Sequence, residues 1–197
     1  MQDPEIDDGQ PEDEDQQIIL QALQRLRSVI EHADWFHSLG QPLSSETRII
    51  AEDYVAQLGF PGTWVAPVAD WDLAATAAEN PEFNSESWEA EEQLRAHLTQ
   101  EAISIFGEQE LQDALEAITS TAGPILFNAA SNVANMWGID DDAVVEACAG
   151  AALQACYNAA LVIAAGEEAG HPCSLKFALF EAGHWPIAIT GQSLNIF

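Results

Sequence analysis

The chain has 197 residues, 48% of them hydrophobic, with 33 acidic side chains against five basic ones and a formal net charge of −28. That length supports one domain with a core large enough to fold without disulfides or metal. The charge excludes a nucleic-acid partner and argues against an anionic membrane surface, because both need clustered Lys and Arg, and the five cations Arg25, Arg27, Arg48, Arg95 and Lys176 are scattered.

Residues 1–15 read as a disordered acidic tail. Eight of the fifteen are Asp or Glu, and such a segment cannot offset its ordering entropy by burial. Without it, the body over 16–197 still carries close to −20, so the folded surface is itself acidic. The first helix is predicted from Gln16 to Leu39. Ile19, Leu23, Leu26, Ile30, Ala33 and Phe36 recur every three or four residues there, and Gly40 and Pro42 stop it. A second helix starts at a Ser44 or Ser45 cap, buries Ile50, Tyr54 and Leu58, and ends at Gly59.

Phe60 to Asp72 contains two prolines, a glycine and two tryptophans, and reads as a loop. Loops carry function and aromatic residues anchor interfaces, so Trp64 and Trp71 are candidate interaction residues. Rings that cap the ends of the core are the alternative for both. A short helix follows, to Glu79, and a longer one opens near Ser85 with acid in its first turns. Gly107 breaks that helix, and Leu111, Leu115 and Ile118 continue in another short one. Gly123-Pro124 restarts the chain in a further helix that ends at Gly138.

Asp140 to Glu168 is the most apolar helix, rich in alanine and long enough to span a bilayer. Its polar positions Glu146, Gly150, Gln154 and Asn158 form one stripe. Acid flanks both ends, and neither end has the Lys or Arg that orients a span. It is therefore expected as the central core helix, with small side chains that let its neighbours approach. Ser174 to Ala182 adds a short helix. His184 to Ile189 and Leu194 to Phe197, separated by a Gly191 turn, predict a terminal β-hairpin. The expected fold class is mainly α: one multi-helix, orthogonal or bundle-like domain around the alanine-rich helix, closed by that hairpin.

No phosphate-binding glycine loop, zincin motif, nucleophile elbow or Cys-x-x-Cys is present. The acid-x-x-His steps Asp34–His37 and Glu168–His171 resemble the ligand spacing of dimetal helical bundles. Five histidines in so acidic a chain give roughly 0.8 such steps by chance, so the spacing alone carries little weight. Glu168, His171, Cys173 and His184 group carboxylate, imidazole and thiol along one stretch, the setting for a small enzyme or metal site. The bland reading is a helix end with a small core cysteine. Cys148 and Cys156 lie about 12 Å apart along one helix, too far for a disulfide. The odd count of three therefore reads as free thiols in a reducing, cytoplasmic setting.

The leading expectation is a non-enzymatic acidic interaction protein of inhibitor, immunity or adaptor type. Its partner would be a basic protein, with no cofactor, nucleic acid or membrane, and its oligomeric state is left open. The alternatives are the enzyme or metal protein just described, and a salt-adapted domain whose acidity serves solubility.

Overall fold

The structure, a computed structural model, describes residues 11–80 and 82–197. Positions 1–10 of the expected tail lie outside the described residues. The elements in chain order are α1 (Pro11–His32), α2 (Ser45–Gln57), β1 (Trp64–Pro67), α3 (Trp71–Ala78), α4 (Ser85–Phe106), α5 (Glu108–Trp137), α6 (Asp142–Ala164), α7 (Pro172–Glu181), β2 (Pro186–Thr190) and β3 (Ser193–Ile196). The fold is mainly α, with a small sheet formed mostly by the C-terminal hairpin.

Helix α6 is the central helix that its composition predicts. It packs on α1, α3, α4, α5 and α7. Ala152, Cys148, Cys156, Ala160, Leu161 and Ala164 are fully buried along it. Alanine at these positions lets helix axes come close while still removing apolar surface from water. Asp141 caps its start, accepting from the Ala143 and Val144 N–H groups. The polar stripe leaves Glu146, Gly150 and Gln154 exposed and then enters the core at Asn158, whose carbonyl oxygen accepts from Gln154 at 3.1 Å. The helix is long and apolar enough to cross a bilayer, with a mean hydropathy of 1.5, but 61% of that stretch is buried inside the fold.

Three boundaries differ from expectation, each for a tertiary reason. Helix α1 begins at Pro11 and stops at His32, not at Leu39. Phe36 adopts a left-handed φ of 63°, and the Trp35 indole donates to the Ile30 carbonyl at 2.9 Å, which a longer helix would have used for its own ladder. Both rings then turn into the core, Trp35 edge-on to Phe177 and Phe36 edge-on to Phe180. A buried Phe ring is worth about 1.5–3 kcal/mol, against roughly 1–2 for the left-handed residue, so burial decides.

The predicted break at Gly123-Pro124 is not a break. Helix α5 runs through it without interruption. An interior proline costs about 3 kcal/mol when the freed carbonyl is stranded. Here Pro124 and Ser120, whose carbonyl loses its partner, are both exposed. The continuous buried stripe Leu111, Leu115, Ile118, Ala122, Leu126 and Ala130 holds the two halves in one line.

The third difference is a strand where a loop is predicted. Trp64–Pro67 forms β1, parallel to β3 in the order β1-β3-β2, with Trp64 opposite Ser193. The Trp64 N–H donates to Gln192 O at 2.8 Å and the Val68 N–H to Ile196 O at 2.7 Å. Even-numbered N–H groups therefore face β3, and Pro67, which has none, faces the open edge. Proline is tolerated there and blunts the edge against further pairing. The hairpin closes through Gly191, whose φ of 58° suits the first of two turn residues. This sheet, α2 and α7 enclose a second cluster around Val55, Leu179, Leu194 and Ile196.

Candidate functional site

The structure disperses the residues that sequence spacing singles out. Asp34 and His37 lie in the turn after α1, where His37 Nδ1 sits against the Asp34 carbonyl. Glu168 and His171 lie in the turn between α6 and α7. There the His171 N–H donates to Glu168 O at 3.0 Å, and His171 Nδ1 accepts from the Cys173 N–H at 3.1 Å, capping α7. Burial holds the His171 imidazole below its ordinary pKa, against the opposing pull of Glu167 and Glu101. His184 is buried elsewhere, beside His37, and burial lowers its pKa too, helped by that neighbour. Cys173 faces Glu91 and Lys176 instead. Among the described residues no group of three or more His, Cys, Asp or Glu is placed to hold a metal ion. Cys148, Cys156 and Cys173 are free and buried, and burial pushes Cys156 and Cys173 up to about 12. Burial so disfavours the thiolate, the form that attacks.

The two loop tryptophans part company. Trp64, on β1, is 71% exposed. Trp71 is buried, its ring edge-on to Phe197 with centroids 5.2 Å apart. Trp71 thus belongs to the core, and only Trp64 of the pair offers a surface.

Two other places concentrate polar groups. The first lies along the opening half of α4. Glu91 accepts from Lys176 Nζ at 2.7 and 2.9 Å and from the Tyr54 hydroxyl. The ammonium also stands 5.8 Å from the centre of the Tyr54 ring. These residues come from α4, α7 and α2, so the cluster ties the first half of α4 to the second core. Burial, then the Glu91 charge, raise the Tyr54 pKa well above its ordinary value. The adjoining cleft is small, about 90 Å³, with the exposed rings of Phe83 and Trp88 at its rim. Every polar group at its floor has a partner, so this cleft holds the fold together and leaves little free chemistry.

The second lies along the closing half of α4, where a groove of about 430 Å³ opens between α4 and α5 above Tyr157 of α6. Its origin is the connection: Gly107, at φ 83°, is the single residue between the two helices. The helices touch each other far less than α5 touches α6. Leu111 and Leu115 form the floor, and both are buried. Ile103 forms one wall and is 37% exposed. Glu108 and Glu116 stand on the rim with Gln112 between them, and among the described residues no basic side chain lines the groove. Arg95 feels the charge of Tyr157 but is held by Glu92, and its pKa is raised chiefly by that hydrogen bond. The groove escapes a motif search. The stripe Glu108, Leu111, Gln112, Leu115, Glu116 is legible in the sequence, but Ile103, Thr99 and Tyr157 reach it only through the fold. Comparison of the chain with protein-family models, curated proteins and solved structures finds no match.

Proposed function

We propose that this protein is an acidic interaction protein that captures a basic partner protein, in the manner of an inhibitor, immunity or adaptor protein. The observation that carries this reading is the α4/α5 groove, apolar at its floor, carboxylate at its rim and, among the described residues, lined by no basic side chain. A surface of that kind offers apolar burial for affinity and a negative potential for steering. The rest of the body reinforces the sign. Arg27 pairs with Glu31, Arg95 with Glu92 and Lys176 with Glu91, so three of the five cations are already neutralised by neighbours. A reducing, cytoplasmic setting belongs to the same reading, since all three thiols are free.

The test is affinity capture at low ionic strength followed by titration with salt. The expected result is a basic protein whose association weakens steeply as the Debye length shortens from about 30 to 8 Å, and which Glu108→Lys with Glu116→Lys no longer captures. If no salt-weakened association is found, and the unfolding midpoint instead climbs steadily into molar salt, the acidity is salt adaptation and the reading fails.

A further inference from the structure

We infer that the segment of the partner seated in the α4/α5 groove is an amphipathic basic helix, with two Lys or Arg residues seven or eight positions apart and apolar residues between them. This rests on the reading above and adds the shape and spacing of what is bound.

The groove is elongated along α5. Its lining on that helix runs from Glu108 to Thr119 at spacings of three, one, three, one and three residues, a single stripe about 16 Å long. That is the length of three helical turns. The rim carboxylates Glu108 and Glu116 are eight residues apart, about 12 Å along the axis. A second helix lying along the groove repeats its own side chains every seven or eight residues at the same distance, so two of its cations meet both carboxylates together. Between them the floor is apolar, with Leu111 and Leu115 below and the exposed Ile103 at the side. Apolar side chains on the middle turn of the bound helix would cover that surface.

Shape favours a helix over an extended strand. The walls are themselves helices, and the depression between helical ridges is what a third helix fills. An extended peptide gains its affinity from a sheet edge, and none borders this groove: the sheet lies on the far cluster with α2 and α7. Thr99 and Thr119 direct their hydroxyls to carbonyls of their own helices, which leaves Gln112 and Tyr157 as the hydrogen-bonding groups of the lining, beside charge at the ends and burial in the middle. Glu108 and Glu116 are both exposed, so neutralising them leaves the fold intact.

The experiment uses the full chain and a synthetic Leu/Ala/Lys peptide of about 18 residues, five helical turns, with its lysines seven apart on one face. A scrambled peptide of equal composition is the comparison. Calorimetric titration at low salt is expected to show the patterned peptide binding at least about tenfold tighter than the scrambled one. Glu108→Gln with Glu116→Gln is expected to lower that affinity about tenfold, as is Ile103→Arg, while Glu46→Gln with Glu52→Gln on α2 changes it less than about twofold. Equal binding of the two peptides, or equal weakening by the α2 pair, overturns the groove inference and leaves a general basic-partner reading standing. Absence of binding by either peptide removes both. Displacement of the patterned peptide by equimolar spermine reassigns the groove to a small polyamine and overturns the helix.

Discussion

Two clefts lie along α4, and glutamates stand in both. Over its first half Glu91 is gripped by Lys176 and Tyr54, at about one-fifth side-chain exposure for the ion pair. Over its second half Glu108 and Glu116 stand exposed on the rim of an apolar groove that no cation among the described residues lines. The residue type is the same and the consequence is opposite. A part-buried carboxylate has given up water and depends on its partners, so its removal strands them. An exposed carboxylate keeps its water, contributes almost nothing to folding, and leaves its field available to something else. In so acidic a chain, the count of glutamates says little. Whether a cation has already answered each one says much more.

Substituting Glu91 should have the largest effect. Glu91→Leu leaves the Lys176 ammonium and the Tyr54 hydroxyl without their acceptor. It is expected to cost about 2 kcal/mol, less than a fully buried pair because water reaches this one, read as a shift in chemical denaturation. A loss under about 0.5 kcal/mol would place Glu91 with the surface glutamates and erase the distinction. Alkaline titration sharpens the same side. Tyr54 keeps its proton in the folded protein to a higher pH than in the unfolded chain. Its contribution is therefore whole below the unfolded value of about 10 and is lost as pH rises above it. Wild type should lose stability above pH 10 more steeply than Tyr54→Phe, and parallel curves would contradict the burial of that hydroxyl.

A smaller effect is expected from the coupling itself. In a double-mutant cycle of Glu91→Leu with Lys176→Met, the pair should recover about 1 kcal/mol relative to the sum of the singles, because the second change removes the stranded charge. Strict additivity would mean that the two side chains act independently. The smallest change belongs to the groove. Glu108→Gln with Glu116→Gln should move stability by less than about 0.5 kcal/mol, because the lost attraction of Glu108 to the α5 N-terminus opposes the relief of like-charge repulsion. A clear destabilisation would show that these carboxylates support the fold, and the contrast between the clefts would collapse.

The helices were readable where one period governs. Ser44 caps α2, Asp141 caps α6, and Gly107 and Gly138 end their helices where local chemistry asks them to. Asp34, His37, Glu168 and His171 were readable as spacings, but spacing within one segment does not bring two segments together, and the fold leaves those pairs in separate turns. Tyr54, Glu91 and Lys176 had the opposite difficulty. They come from three helices and have no shared spacing, although Lys176, the sole lysine in the chain, was a signal of a kind.

The sequence by itself determined the class of the fold, the core role of the alanine-rich helix and the sign of the surface, because composition and periodicity are properties of single segments. Tertiary structure alone decided that Trp64–Pro67 is a strand, since its partner Ser193–Ile196 lies far along the chain. It decided that Pro124 continues a helix, since solvent takes the exposed side and the core holds the other. It also decided which glutamates are answered and which are free. Pairing is a matter of distance in space, and no local pattern encodes the distance between helices that the core brings together.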